Sequence, residues 1–394
     1  MSETRPSLSE IFLVALRLGC TSFGGPIAHL AYYRKEYVEK RGWLDEAHYA
    51  DLVALCQFLP GPASSQAGFA IGCQQRGLAG GLAVWVGFTL PSAVLMMAFA
   101  FGVSALGNVA HAGWLQGLKV AAVAVVAQAV LAMWRSLCPD LPRSAVAAGA
   151  AGLLMLVPAT WTQIAAIALG ALFGSSWLKA EAAIPTVTPQ AGRTYHAPAW
   201  LIIFFVLLFA LPVLARFAPN DWTAAADKFY RAGALVFGGG HTVLPMLERE
   251  VVVPGGLTHD QFLAGYGVAQ AMPGPLFTFA AYLGTVQSAT PLRILAGAWS
   301  LCWIFAPGLI LVLGVLPYWR KLRALPGAQS ALRGANAAVV GVLLAALIEP
   351  VGRTGLAGPW HVALAAGAFA ALQFLKASPL LVVFGCAAFG LLLP

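Results

Sequence analysis

Long apolar runs separated by short polar connections dominate the pattern of this chain. The runs from Ala145 to Val157, Trp161 to Trp177, Ala199 to Ala215, Gly358 to Leu375 and Pro379 to Leu393 carry no polar stripe at helical spacing. A surface helix of a soluble domain keeps one polar face, whereas a helix apolar all round lies in a large core or in lipid. Each run approaches the roughly 20 residues that a helix needs to cross about 30 Å of hydrocarbon. The pattern therefore predicts an all-α polytopic membrane protein, since a helix satisfies its own backbone where water cannot.

The pattern also repeats. Phe23-Gly24-Gly25 recurs 214 positions later as Phe237-Gly238-Gly239, and Lys35-Glu36 recurs as Arg249-Glu250. Gln57, Pro60, Gly61 and Pro62 match Gln270, Pro273, Gly274 and Pro275 at a spacing of 213, Pro91 matches Pro307, and Leu115-x-Gly117-x-Lys119 matches Leu332-x-Gly334-x-Asn336. Blocks in one order with so little drift point to duplication. The reading divides the chain into an N-terminal repeat (1–178), a Pro- and Gly-containing linker (179–198), an extra span (199–217) and a C-terminal repeat (218–394).

Composition sharpens the class. Of 394 residues, 60% are hydrophobic and 10% charged, with a mean hydropathy of +0.79, against about 25% charged in a soluble domain. The first residues lack the pattern of a cleaved signal peptide, so the N-terminus is expected in the mature chain. The net charge of +8 forms no continuous basic stripe, which argues against nucleic acid and for basic cytoplasmic loops. The six cysteines show no C-x-x-C pair and read as small packing residues; no metal site, cofactor or nucleotide loop is evident. Transport without ATP would be secondary or passive.

Loop charges orient the halves. The connection after the first Phe-Gly-Gly carries Arg34, Lys35, Lys40 and Arg41, whereas its counterpart sets Arg249 against Glu248, Glu250 and Asp260. The bias reverses later: 103–116 is uncharged, and its counterpart carries Arg320, Lys321, Arg323 and Arg333. Basic loops in the cytoplasm would make the repeats inverted. Parity then requires either re-entrant segments or pairs of short full spans at Pro-Gly-Pro, and charge does not choose between them. Counted as re-entrant, the segments place the N-terminus in the cytoplasm and the C-terminus outside.

Phe23-Gly24-Gly25-Pro26 with His29, Gln57-Phe58-Leu59-Pro60-Gly61-Pro62, and the second copies Phe237-Gly238-Gly239-Gly240 and Gln270-Ala271-Met272-Pro273-Gly274-Pro275 together resemble the long-chain chromate ion transporter family over nearly the whole chain. The resemblance implies a bacterial inner-membrane protein exporting chromate, linked to the proton gradient or to exchange with sulfate as a structural analogue. Its expected partners are chromate or sulfate and the lipid bilayer, and a homodimer is left open. Gly240 stands where the first copy has Pro26, so the two turns need not match.

Proline removes a helical hydrogen bond and glycine relaxes the backbone, so both motifs should interrupt their helices. Free backbone groups cannot face lipid, and half-helix N-termini favour anions. The expected substrate site is where Gly24, Gly25, Gly61, Gly238, Gly239 and Gly274 meet, with Ser22, Ser64, Ser65, His241, Thr242 and Thr278 as oxygen-binding donors. Each hydroxyl serves equally well to cap a nearby carbonyl, and each proline break taken alone reads equally as a packing kink. Gln57 and Gln270 precede the breaks and could close a free backbone group or touch ligand.

Lys119 opens an apolar run, and its mate Asn336 is neutral; a lone ammonium there would attract a dianion or snorkel to the interface. Arg76 and Arg34 are candidates at the mouth of the pathway, and Arg17 faces the site or the headgroups. Glu36 and Glu250 hold equivalent positions and read first as loop charges or ion pairs with Arg34 and Arg249, second as proton-coupling carboxylates. A permease for sulfate or molybdate fits the same residues. An intramembrane enzyme would need clustered catalytic groups, which the apolar segments lack.

Overall fold

The computed structural model describes residues 6–105, 113–157, 160–178, 196–236, 243–252, 257–288, 291–323 and 325–392, which fold into helices and turns. α1 (Leu8–Thr21) starts at Ser7, whose hydroxyl accepts the Glu10 N–H, the usual use of an N-cap serine. The chain turns at Gly24 and Gly25, at φ +99° and +79°, a region that glycine enters without a Cβ penalty. α2 (Gly25–Tyr33) continues as a wider helical turn to Lys40. It runs back along α1, since Glu36 pairs with Arg17 and Arg41 with Glu10.

α3 (Glu46–Phe58), capped by Asp45, ends before Pro60, and α4 (Ala63–Ala105) begins after Pro62. Arg76 and Gly77 leave the helical region inside α4, dividing it into a short arm up to Gln75 and a long arm from Leu78. The Gln75 side chain donates to the Trp43 carbonyl (2.8 Å), so the short arm returns to where α3 began. Thirteen residues of α3 reach about 20 Å at about 1.5 Å per residue. The first half is completed by α5 (Gly113–Leu137), α6 (Leu141–Leu156) and α7 (Thr160–Trp177), and α8 (Ala197–Phe217) precedes the second half. Most of the proposed linker, 179–195, lies outside the described residues.

The second half repeats these devices. α9 (Asp221–Ala234) and α10 (Val243–Val251) lie back to back, with Arg231 on Glu250 (3.1 Å). α11 (His259–Ala271) carries a Thr258 capping box, and after Pro273-Gly274-Pro275 the chain returns through α12 (Phe279–Gln287), where Tyr282 donates to the Gln261 carbonyl (2.8 Å). α13 (Arg293–Val315), α14 (Trp319–Arg323), α15 (Pro326–Ala346), α16 (Arg353–Gly355), α17 (Pro359–Gln373) and α18 (Pro379–Gly390) complete it. Among the described residues, five segments are long and apolar enough to cross a membrane: Ala63–Ser104, Gly113–Leu137, Ala197–Phe217, Arg293–Tyr318 and Gly327–Gly355.

The halves are interlaced. α5 packs on α17 and α18 of the second half, and α15 packs on α6 and α7 of the first. Gly113 and Gly117 face Cys386 and Gly390 with backbone against backbone, and Gly334 meets Gly170 and Gly174 in the same way. Without a hydrophobic drive between helices in lipid, close approach at small residues supplies the attraction. At the front of each half, Gly19 of α1 abuts the Phe88 carbonyl of α4, and Gly233 of α9 abuts the Ile304 carbonyl of α13.

Candidate functional site

The two Pro-Gly-Pro turns reach across to the opposite half. The Gly61 N–H donates to the Val236 carbonyl (2.7 Å), and the Gly274 N–H donates to the Ser22 carbonyl (2.9 Å). Val236 stands 214 positions after Ser22 and Gly274 stands 213 after Gly61, so the two bonds are equivalent under the repeat. Each Pro-Gly-Pro therefore caps the helix end that precedes the other half's Phe-Gly-Gly. Gly61 and Gly274 sit at φ +125° and +91°, and a Cβ on them would meet Gln66 Nε2 at 2.9 Å and Ser92 Oγ at 2.8 Å. These bonds also commit the two glycine N–H groups to protein carbonyls. The donors left for a ligand are the first-turn N–H groups of α4, which have no carbonyl one turn back, and side-chain hydroxyls.

Around this crossing the buried polar atoms are incompletely paired. Ser22 Oγ, Ser65 Oγ, His29 Nε2, Gln66 Oε1 and Thr89 Oγ1 are buried without a hydrogen-bond partner, whereas native interiors pair the large majority of such atoms. Ser64, in the first turn of α4, lies 3.3 Å from His29 Nδ1. Gln66 Nε2 donates to the carbonyls of Pro60 (2.9 Å) and Gly308 (3.1 Å), tying the first turn of α4 to α13. Thr278 Oγ1 donates to the Pro275 carbonyl (2.9 Å), so its hydroxyl closes its own turn.

The candidates thus separate into groups. Ser22, Gly61, Ser64, Ser65 and Gly274 come together with His29, quoted above only as part of the motif, and with the unforeseen Gln66, while Gly24 and Gln57 are exposed. Gln270 bonds the Tyr266 hydroxyl. Gly238, Gly239, His241 and Thr242 lie outside the described residues. His29 belongs to the quoted Phe-Gly-Gly segment; its signal in the sequence was an imidazole in an apolar stretch with valine at the equivalent position, Val243.

The charged candidates are paired, and three differ from expectation. Lys119 is buried, but its ammonium holds Asp260 Oδ1 at 2.8 Å; it is not the lone cation its surroundings suggested, because α5 of one half abuts α11 of the other. Glu36 pairs with Arg17 (2.5 Å), Arg41 (2.9 Å) and Lys40 (3.4 Å), not Arg34, since the fold-back of α2 brings it beside α1. Glu250 pairs with Arg231, not Arg249, for the same reason in the second half. Arg34 holds Glu39 and Glu46 (both 2.7 Å). Arg76 is exposed at the bend of α4 and donates to the Pro6 carbonyl (2.7 Å). Asn336 Oδ1 is buried without a partner.

A helical membrane protein of two interlaced halves, with helix breaks from both meeting at one polar crossing, has the architecture of a transporter. The family model for chromate transporters matches residues 9–175 and 222–391, and the chain belongs to that family, a family of transporters and not of enzymes. It is a multi-pass membrane protein. It is 26% identical to a chromate transport protein of Cupriavidus metallidurans, over 98% of this chain and 93% of that one. It is 28% identical to a chromate transport protein of Pseudomonas aeruginosa over 71% and 67% of the two chains, and 25% identical to an uncharacterized transporter of Methanocaldococcus jannaschii over 88% and 85%. No solved structure matches it.

Proposed function

We propose that this chain is a secondary transporter exporting chromate, or a closely similar divalent tetrahedral oxyanion, across the bacterial inner membrane, coupled to the proton gradient or to sulfate exchange. The observation that carries the reading is the reciprocal pair of hydrogen bonds, Gly61 to Val236 and Gly274 to Ser22. It gathers helix breaks of both halves around unpaired hydroxyls and the first turn of α4, where the helix dipole favours negative charge. Such donors respond to tetrahedral shape and charge, so sulfate and molybdate compete for the same place.

The halves are inverted in this proposal. The long arm of α4 starts beside the mouth of the first-half hairpins and ends at Ser104, whose hydroxyl accepts from Arg293 at the start of α13. The second-half hairpins therefore begin at the far end of that arm. Arms of about 20 Å fall short of about 30 Å of hydrocarbon, which favours re-entrant hairpins with tips inside the bilayer over pairs of short spans. Counting hairpins as returning to their own side puts the N-terminus in the cytoplasm and the C-terminus in the periplasm.

Radiolabelled chromate flux in proteoliposomes with an imposed pH gradient tests the function, and unlabelled sulfate and molybdate should reduce it. Absence of flux above empty liposomes would refute it. Cysteine labelling that placed positions 38 and 322 on opposite faces of the membrane would refute the inversion.

A further inference from the structure

A dianion needs positive charge near it in a medium of low polarity, and the cations that precede the two capped helix ends are already committed. Arg17 is held by Glu36, and Arg231 by Asp227 and Glu250. Among the described residues, what remains at the crossing is His29. Its side chain is 1% exposed, its ring lies edge-on to Phe88 with centroids 5.2 Å apart, Nδ1 is 3.3 Å from Ser64 Oγ, and Nε2 has no hydrogen-bond partner. The titratable groups packed near it are phenols: Tyr33, whose ring also meets Phe88 at 5.2 Å, and Tyr37 behind it. Tyr49, from α3, donates to the Leu30 carbonyl (2.6 Å). From α4 come Ser64 and Phe88, and the Gly274 turn brings no ionisable side chain. An imidazolium in the empty site would be a buried charge without a counter-ion, which is costly.

We propose that His29 is the proton-accepting group of the oxyanion site: neutral when the site is empty, it takes up one proton from solution as a divalent oxyanion docks at the first turn of α4. This rests on the proposed substrate site. The arriving dianion supplies the missing counter-charge, and the imidazolium, unlike the neutral ring, donates from both nitrogens. Nδ1–H then faces Ser64 and Nε2–H the ligand. The second half contributes Val243 at the equivalent position, so among the described residues His29 is the imidazole of the crossing.

The experiment is calorimetric titration of the purified full chain with sulfate and with chromate at pH 7.5, in buffers of different ionisation enthalpy, which counts protons taken up per anion. The wild type should take up close to one proton, and its affinity should fall up to tenfold per pH unit as pH rises. His29→Gln should bind at least tenfold more weakly with no uptake and little pH dependence, and His29→Lys should bind without uptake. Unchanged uptake in His29→Gln, or binding by the wild type without uptake, would overturn the role of His29 and leave the site standing. No binding of either anion by the wild type would overturn both. Should neither variant fold, the ring-nitrogen NMR signals of His29 in the wild type decide: a change from neutral to doubly protonated on adding sulfate supports the proposal, and no change overturns it.

Discussion

The two halves share a skeleton and differ in the chemistry hung on it. Arg17 on Glu36 recurs as Arg231 on Glu250, and the bond from Gly61 recurs from Gly274. At another duplicated pair the polarity is reversed: Arg34 binds Glu46 at 2.7 Å, and the equivalent positions hold Glu248 against His259 at 2.9 Å. His29, Gln66 and Lys119 of the first half correspond in the repeat to Val243, Phe279 and Asn336 of the second. Backbone capping, close helix approach and one ion pair thus obey the repeat, whereas His29, Gln66 and Lys119 do not.

The comparison is broken most severely at the shared skeleton. Gly61→Val and Gly274→Val should each abolish chromate flux in vesicles while the protein still reaches the membrane, because both need positive φ and have 2.8–2.9 Å of room. Gly25→Val should retain more flux than either, since a Cβ there meets nothing within 4 Å although φ is +79°. Equal loss in all three would mean that strain alone matters.

Next comes the bridge between halves. Asp260→Ala strands the buried Lys119 ammonium and should destabilise by about 3 kcal/mol, read as a lowered unfolding temperature in detergent. Lys119→Ala should weaken transport, Lys119→Arg should keep part of it, and Asn336→Ala should cost less than either. Unchanged stability in Asp260→Ala would show that the pair does not hold the halves together.

A smaller effect should appear in pH dependence. The hydrogen bond to Glu248 raises the His259 pKa above 6.5, and burial raises that of Glu248. A raised histidine pKa gives stability that is complete below about pH 6.5 and lost as pH rises through the folded value, and the raised carboxyl changes stability in the same direction. His259 is 44% exposed, so the change should be roughly 1 kcal/mol or less. Thermal unfolding between pH 5.5 and 8.5 should show it, and His259→Arg, which copies the fixed charge of the first half, should flatten the curve. The smallest effect is expected at Trp360, 67% exposed, where alanine should leave flux nearly unchanged.

The repeat made much of this legible before any coordinates. Matched positions such as Gly61 and Gly274 implied equivalent environments, and proline and glycine fixed where helices stop. Loop charges suggested inversion but not hairpin depth, which depends on where the arms return. The Lys119 partner lies 141 positions away in the chain, beyond any local pattern. The Arg17 and Glu36 pair required knowing that α2 folds back on α1. His29 was visible as part of a motif, yet its isolation from other charges is a property of packing. The crossings at Gly117 and Gly334 had a signal in small residues spaced by four, Gly113 with Gly117 and Gly170 with Gly174, but spacing alone does not say which helix answers which.

The interlacing of α5 with α18 has a consequence for biosynthesis. At about 5–20 residues per second, a ribosome that has finished Leu137 needs roughly 12 to 50 s more to reach Gly390. Through that interval α5 waits in the bilayer with its glycine seam against lipid or a chaperone, because the surface that completes it has not been made. The first half therefore matures only when the last helix is translated, and a nascent chain halted after α8 should be a ready substrate for membrane proteases.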